Sequence, residues 1–400
     1  MHLLTTQPGM VPDGTEALDL GQTPGDIIVL SAADTELAML AAAAARRPPG
    51  SPAVRLASIL QLGHHLSVDT YVEAIIVPAR VVIVRLLGGA SYWRYGIDEI
   101  AAAARRHGIA LALLPGDDRQ DGELRRLSTV GDDDYGRLWS YLIHGGRENA
   151  DNLLLHAAAL AGHDEAAGAP VMFPRAGYYW PGEGDVDGDT FPGRWESEKD
   201  VALVHFYRAL VQAGDTRPVD ALVHALSDEG LNALPLYSQS LKDPAAAVLV
   251  EETLATFRPA VIVNTTGFAV SSPGADRGPS PFDNAGCPIL QAVFAGEARD
   301  QWQERTRGLA PRDIAMNVAL PEVDGRILAR SISFKAPGPR LPETETRVVT
   351  HQPVADRVAW TARLAAGWVG RPPPPPPAPR TPPRVAHKPG KDTPLAHPVG

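Results

Sequence analysis

Residues 199–243 read KDVALVHFYRALVQAGDTRPVDALVHALSDEGLNALPLYSQSLKD, and residues 258–268 read RPAVIVNTTGF. Three apolar runs in these stretches, at 201–206, 234–237 and 260–264, have the length of buried β-strands. Helical segments with Gly and Pro signals at their ends separate the three runs. This alternation of strand and helix predicts a parallel sheet with helices on both faces.

The third strand ends in a polar cluster, Asn264, Thr265 and Thr266. Tyr207 follows the first strand, and Gln291 lies inside a further strand predicted at 288–294. Ligands of open parallel sheets bind beyond the carboxyl ends of the strands, so these five residues are the candidate ligand-binding residues. The alternative for the Asn-Thr-Thr cluster is the satisfaction of a turn, and Gln291 could pair with backbone instead.

The first 131 residues predict a second α/β unit. Several of its apolar runs end in small or polar turns, as expected where strands of a doubly wound sheet meet their loops. The fold class is therefore α/β, with two doubly wound, mainly parallel-sheet units joined by a helical segment and followed by a disordered proline-rich tail. The predicted strands of the first unit lie at 26–30, 54–60, 74–78, 81–87 and 109–114.

Changes in composition along the chain predict five segments. The aromatic, Gly- and Pro-rich stretch at 177–185 is interpreted as an ordered loop, either packed as a linker or forming a wall beside a flat ligand. A final strand is predicted at 315–320. The segments are an N-terminal α/β domain (1–131), a helical linker with the aromatic loop (132–198), a second α/β domain (199–335), a loop and helix leading to a missing domain (336–370) and the proline-rich tail (371–400).

Charge and composition exclude several functional classes. The net charge of −10 argues against a nucleic-acid partner and against a basic membrane-binding surface. No signal peptide and no transmembrane run is predicted, and a cytoplasmic protein is the simplest expectation. The single cysteine, Cys287, cannot form an intrachain disulfide, and no base pairs with it to make it a nucleophile. No Walker A or dinucleotide-binding spacing occurs in the sequence, so no ATP site is predicted in this chain.

Several long blocks resemble the family of cobaltochelatase and magnesium chelatase large subunits. They are the stretch that opens VHFYRALVQAG (204–214), VNTTGF (263–268), PILQAVFAG (288–296) and TRGLAPRDIAMNVALPEVDGRI (306–327), with LGHHLSVDTYVE (62–73) and VVIVRLLGGASYWRYGIDEI (81–100) in the first unit. The resemblance spans residues 1–369. Family members are more than twice as long, so the chain looks like the N-terminal third of one. The abrupt proline-rich text after residue 370 is interpreted as a frameshift or truncation, with a genuine polyproline linker as the alternative.

The resemblance implies a corrin-type tetrapyrrole and Co²⁺ as substrates, with ATP hydrolysed by an AAA+ partner subunit that has an integrin-like companion. It further implies that Asn264, Thr265 and Thr266 contact amide or carboxylate arms of the macrocycle. Much of the active site would lie beyond residue 400, so the chain alone is expected to be inactive. The alternative from a different class is a non-catalytic α/β module that binds a small molecule.

Metal insertion requires groups that accept the ring-nitrogen protons, and His205 is the candidate catalytic residue for this step. A lone histidine in an apolar run is more typical of a hydrogen-bonded core residue. Glu322 and Asp324 follow the last predicted strand and are interpreted as a solvated turn rather than a metal site. His64 and His65 are adjacent, and neighbouring residues rarely bind one ion, so a structural role is expected and no metal ligand set is predicted.

Overall fold

The computed structural model describes residues 4–5, 17–271, 280–306 and 308–369. The predicted tail at 371–400 lies outside these residues. No helix in the described ranges is long and apolar enough to cross a membrane. Two sheets organise the chain, one of four strands and one of eight, and a two-stranded ribbon precedes them.

The first unit is a four-stranded, fully parallel sheet with its helices. Its strand order is β4-β3-β5-β6, so the chain reverses direction across the sheet at β3, as in a doubly wound fold. Its elements, with the preceding ribbon, are β1 (Leu4–Thr5), β2 (Leu18–Asp19), β3 (Ile27–Ser31), α1 (Asp34–Ala45), β4 (Val54–Ser58), α2 (His65–Tyr71), β5 (Val81–Leu86), α3 (Arg94–His107), β6 (Ala110–Pro115), α4 (Gly122–Leu127), α5 (Asp132–His144) and α6 (Gly146–Leu160).

The second unit is an eight-stranded sheet in the order β14-β13-β12-β11-β9-β10-β7-β8, with its helices. The five central strands, from β13 to β10, are parallel, and antiparallel strands flank them on both sides. The elements are β7 (Ala176–Trp180), β8 (Gly184–Val186), β9 (Val201–Tyr207), α7 (Arg208–Ala213), α8 (Arg217–Asp228), β10 (Asn232–Ser238), α9 (Pro244–Phe257), β11 (Val261–Asn264), β12 (Ile289–Ala298), α10 (Arg299–Glu304), α11 (Pro311–Ile314), α12 (Leu320–Val323), β13 (Ile327–Leu341), β14 (Thr346–Pro353) and α13 (Ala355–Trp368).

The central strand β9 shows why the opening stretch forms a buried strand. Its residues from Ala202 to Phe206 are all fully buried, with side chains packed alternately on the two faces of the sheet. Val204 contributes to the core under α8 and α13, whereas Leu203 contributes to the core under α9. Helices therefore cover both faces, and an apolar run without alternation is what such a strand requires.

The aromatic stretch at 177–185 is not an irregular loop, and that prediction is wrong. It forms the β7–β8 hairpin, which joins the second sheet through antiparallel pairing of β7 with β10. Adjacent Tyr and Trp side chains favour strand over loop. Gly182 and Gly184 adopt positive φ angles of 82° and 88°, which a tight hairpin turn needs and which glycine adopts without strain.

Three further sequence predictions are wrong. Residues 74–78 belong to a helical turn that follows α2, and residues 315–320 lie in the helical segment from α11 to α12. The region at 336–353 is not a loop, because β13 and β14 form a long antiparallel hairpin there. Short apolar runs fit a helix as well as a strand. For residues 315–320, the Pro residues in the first turns of α11 and α12 favour the helix.

Residues 132–198 do not act as a free linker. The apolar faces of α5 and α6 pack on the first sheet beside α1, through residues such as Leu138 and Leu153. The hairpin that follows belongs to the second sheet. Helix α13 likewise returns to the second sheet, where Val358 and Ala362 are buried against it. The segment is therefore divided between the two units.

Polar contacts hold the two units together. Arg175 donates to Asp118 of the first unit at 2.6 Å and to Asp243 of the second at 2.8 Å. On the other side the β13–β14 hairpin reaches the first unit, where Glu345 accepts from the Thr23 hydroxyl at 2.6 Å. These contacts fix the carboxyl ends of the two sheets relative to each other.

We predict that Leu203→Ala lowers the free energy of unfolding of the second unit by about 3–5 kcal/mol, because it removes a fully buried side chain from a core that cannot collapse around it. Urea denaturation followed by tryptophan fluorescence measures the change. Leu328→Ala is the matched control, because Leu328 is 50% exposed on β13 of the same sheet. An equal loss in both variants would contradict the placement of β9 at the centre of the sheet.

Candidate functional site

The strand register brings three candidate residues side by side at the carboxyl edge of the second sheet. Asn264 on β11 lies opposite His205 on β9 in one direction and opposite Gln291 on β12 in the other. Side chains at matching positions on neighbouring parallel strands point to the same face, so the three form a row across the sheet. The sequence prediction that these residues converge at one strand edge agrees with this geometry.

His205 is hydrogen-bonded at both ring nitrogens. Its Nδ1 lies 2.6 Å from Asn264 Oδ1, and its Nε2 lies 2.8 Å from Ser238 Oγ on β10. The amide oxygen of Asn264 can only accept, so Nδ1 carries the proton and Nε2 accepts from the Ser238 hydroxyl. Burial lowers the pKa of His205 from 6.5 to about 4, which keeps the ring neutral at physiological pH.

Asn264 uses all of its hydrogen-bonding capacity inside this network. Its Oδ1 accepts from His205 and from the Thr266 hydroxyl at 3.0 Å. Its Nδ2 donates to Thr266 O at 2.9 Å and to Gln291 Oε1 at 2.7 Å. Gln291 Nε2 returns a bond to Thr266 O at 3.0 Å, and the Thr265 hydroxyl donates to His205 O at 3.0 Å. The Asn-Thr-Thr cluster therefore links β9, β11 and β12 through side chains.

A buried ion pair lies next to the network. Arg326 Nη2 is 3.0 Å from Asp324 Oδ2, and Arg326 Nη1 donates to Thr266 O at 3.2 Å. Asp324 also accepts from the main-chain N–H groups of Val270 and Ser271, which fixes the start of the chain after the cluster. The interpretation of Asp324 as part of a solvated turn is wrong, because this carboxylate is buried and paired; Glu322 is exposed.

The network is closed to solvent in this structure. His205, Asn264, Thr265, Thr266 and Gln291 are each at most 4% exposed. Phe282 covers the His205 ring edge-on, with 5.4 Å between the ring centroids. A direct contact of Asn264, Thr265, Thr266, Gln291 and Tyr207 with a ligand stays a prediction, and so does a catalytic role of His205. In the observed arrangement these polar groups form hydrogen bonds with one another, and these bonds order the strand ends.

The accessible part of this edge lies at Tyr207 and Phe268. Tyr207 is half-buried and donates to Gly267 O at 3.1 Å, and burial raises the pKa of its hydroxyl to about 12. Phe268 is 52% exposed and has a φ angle of +62°, a left-handed conformation that is unfavourable for a bulky residue. Its N–H donates to Met316 O at 2.8 Å. Strained, exposed aromatic residues of this kind concentrate at functional sites.

The other sequence candidates have local structural contacts. The Nδ1 of His64 accepts from Leu66 N at the start of α2, and the ring of His65 stacks on Tyr95. Burial raises the pKa of the Cys287 thiol to about 12, so this cysteine is not a thiolate at neutral pH. Within the described ranges, no group of three or more His, Cys, Asp or Glu side chains could hold a metal ion.

Two members of the network were missed by sequence reasoning. Ser238 is the last residue of β10, in register with Tyr207, so its position was signalled by the end of that apolar run. Arg326 precedes β13 and returns to the network from two strands away. No sequence feature indicated Arg326, because the last strand was predicted at 315–320 and no strand was expected after it.

We predict that His205 makes stability depend on pH. The folded-state pKa of about 4 lies below the unfolded value of 6.5, so the unfolded chain binds the extra proton in this window. Stability should be fully present above pH 6.5 and fall as the pH drops towards 4, with a slope of up to about 1.4 kcal/mol per pH unit. His205→Gln should remove the contribution of His205 and so reduce the slope measured from urea unfolding curves. His107→Gln, on the exposed surface of α3, is the control, and an unchanged slope in His205→Gln would refute the assignment.

We also predict that Asn264→Ala costs about 2–4 kcal/mol of unfolding free energy, because it leaves buried groups of His205, Thr266 and Gln291 without partners. Thermal and urea denaturation measure the loss. Asn284→Ala changes an exposed asparagine of the same unit and should alter stability by less than about 0.5 kcal/mol. Similar values for the two variants would show that the network is not part of the folded state.

Comparison with known proteins assigns the chain to a family. The family model described as CobN/Magnesium Chelatase matches residues 139–370, which is more than half of the chain. This match covers α6, both strands of the aromatic hairpin and the whole second sheet.

Individual relatives extend the similarity into the first unit. The chain is 47% identical over 380 residues to an aerobic cobaltochelatase subunit CobN from Sinorhizobium sp. and 41% identical over 370 residues to one from Pseudomonas aeruginosa. Each match covers 92% of this chain but only 29% of the relative. The chain thus spans less than a third of the length of these curated relatives.

A solved structure agrees in fold. The catalytic subunit of cobaltochelatase from Mycobacterium tuberculosis matches with a TM-score of 0.58 and 28% sequence identity, over 86% of this chain and 27% of that one. The mixed α/β architecture with parallel sheets is therefore that of a metal chelatase subunit. From its sequence, its fold and these relatives, the chain belongs to the CobN/magnesium chelatase family.

Proposed function

We propose that the chain is the N-terminal part of the large, tetrapyrrole-binding subunit of an ATP-dependent cobaltochelatase. The complete enzyme would insert Co²⁺ into hydrogenobyrinic acid a,c-diamide during cobalamin biosynthesis, as a ligase that forms nitrogen–metal bonds. The observation that carries this proposal is the 47% identity to a CobN subunit across both α/β units rather than over one motif. The same extent of similarity supports treating the chain as one part of a larger subunit.

Co²⁺ is a substrate in this proposal, and ATP is hydrolysed by a partner. The sequence contains no Walker A loop, which is consistent with an AAA+ ATPase subunit that supplies ATP hydrolysis, together with an integrin-like subunit. We place the assembly in the cytoplasm, without nucleic-acid or membrane partners. The acidic net charge of −10 fits this placement.

The chemistry of metal insertion argues that the chain alone is inactive. Two protons must leave the ring nitrogens, and weak ligands must hand the ion to the macrocycle. His205 is buried and commits its Nδ1 proton to Asn264, so its observed state suits neither task. We therefore expect the residues that accept protons and hold cobalt to lie in the part of the relatives' length that this chain does not match.

The contribution of this chain to substrate binding is proposed at the carboxyl edge of the second sheet. Tyr207 and Phe268 present a hydroxyl and an aromatic face at this edge. Asn264, Thr265, Thr266 and Gln291 lie behind them and are the groups available to polar arms of the macrocycle if the edge opens. A macrocycle with amide and carboxylate arms suits this combination of an apolar face and amide donors.

A chimaera tests the proposed function. Replacing the matched segment of the Sinorhizobium CobN subunit by residues 1–369 of this chain should preserve cobalt insertion, within about tenfold of the intact subunit, when the partner subunits and ATP are supplied. Visible absorption of the cobalt-containing corrinoid measures the reaction. The chain alone with the same partners should give no product.

A folded chimaera that assembles with the partners and inserts no cobalt would contradict the proposal. A chimaera that also carries Phe268→Ala tests whether the carboxyl edge of the second sheet contributes to binding of the macrocycle. Loss of affinity for the macrocycle with unchanged assembly would support contact at this position, whereas unchanged affinity would remove Phe268 from substrate binding.

A further inference from the structure

A cleft separates the two units on the side where the carboxyl ends of both parallel sheets face each other. It encloses about 180 Å³ and is lined from the first unit by Thr35, Arg85 and Gly116, and from the second by Arg208 and Gln239. These residues come from the ends of β5, β6, β9 and β10 and from the first turn of α1. Interfaces between units and the carboxyl edges of parallel sheets are both preferred positions for ligands.

Arg85 supplies an unused donor to this cleft. Its side chain is only 7% exposed, its Nε lies 2.9 Å from Glu36 Oε1, and its Nη2 donates to Gly116 O at 2.9 Å. Its Nη1 is buried and has no hydrogen-bond partner in the described part of the chain. Leaving a buried donor unpaired is unfavourable, and more so when the donor is charged, so an acceptor at this position would be strongly preferred.

A second buried guanidinium, that of Arg208, lines the cleft. Arg208 is also buried, and its guanidinium donates to main-chain carbonyls, those of Phe173, Pro174 and the residues that end α5. Burial lowers the pKa of Arg208 to about 10, so it remains charged at neutral pH. Two buried guanidinium groups thus line the cleft, and Glu36 is the carboxylate paired with Arg85.

The acidic groups that line the cleft are already paired or lie at its rim. The Glu36 carboxylate is shared between Arg85 and the Ser31 hydroxyl, which donates to Oε2 at 2.6 Å. Asp118 is paired with Arg175, and Asp117 is exposed on the rim. The side chains of Thr35 and Gln239, both lining the cleft, make no hydrogen bond within the described ranges and are available to a ligand.

We propose that this cleft binds a small carboxylate, with Arg85 Nη1 as the primary donor and Thr35 and Gln239 at its sides. A guanidinium and a carboxylate match in geometry and form short, charge-assisted hydrogen bonds. The volume is smaller than the roughly 300–1,000 Å³ of sites that enclose a drug-sized ligand, so the site accommodates a carboxylate-bearing group rather than a whole macrocycle. The inference does not depend on the proposed chelatase function.

The test measures binding of glutarate to the 400-residue chain by isothermal titration calorimetry. Arg85→Lys keeps the ion pair with Glu36 but removes Nη1, and it should weaken binding by about tenfold or more. Ala209→Trp fills the cleft from an exposed position on α7 without altering either guanidinium, and it should abolish binding. Ala255→Trp, exposed on α9 and outside the cleft, is the matched control and should bind as the wild type does.

Failure of the wild-type chain to bind glutarate at millimolar concentration would overturn the proposal, and so would equal affinity in Ala209→Trp and wild type. Circular dichroism on each variant separates loss of binding from loss of fold. Competition with uroporphyrin, a tetrapyrrole with carboxylate arms, identifies the source of the group. Displacement of glutarate by uroporphyrin assigns the cleft to an arm of a tetrapyrrole, and binding of glutarate alone assigns it to a free carboxylate.

Discussion

The Asn264 side chain is the constraint on which the second unit depends. It sits in register between His205 and Gln291 and satisfies both, so that three parallel strands are joined at their carboxyl ends by side chains as well as by main-chain bonds. Unpaired polar groups are costly in a buried network, and here the side chains of His205 and Asn264 are paired with Ser238 and Thr266, next to the Arg326–Asp324 ion pair. The positions of β9 to β12 relative to one another follow from this closure.

Because this edge of the sheet is closed, the polar groups that order the strands and the groups accessible to a ligand lie in different places. The Asn-Thr-Thr end of β11 was the most obvious ligand-facing feature, yet it forms an interior network with Tyr207 and Phe268 on its accessible side. A buried donor without a hydrogen-bond partner in the described residues lies at Arg85, in the cleft between the two units. Under the proposed function, the present chain would hold and orient substrate groups, and the proton acceptors and cobalt ligands would lie elsewhere in the subunit.

Much of this arrangement could be predicted from the sequence, and the failures have physical causes. The apolar run of β9 and the helix signals at Pro218 and Gly230 predicted the parallel sheet, because a strand covered on both faces carries no polar alternation. The convergence of His205, Asn264 and Gln291 followed from their places near strand ends. Their burial did not, since Phe282 covers them from a distant part of the chain. The β13–β14 hairpin was missed because Pro337, Gly338 and Pro339 lie inside β13, and proline and glycine are atypical of a strand interior.

The most direct test of a closed carboxyl edge is the protonation state of His205, read from the ¹⁵N chemical shifts of its ring by NMR across a pH series. The structure predicts a neutral ring with the proton on Nδ1, unchanged on acidification until the pH approaches about 4. Titration of this ring near 6.5, or a proton on Nε2, would show that the network is open to solvent and would contradict the account.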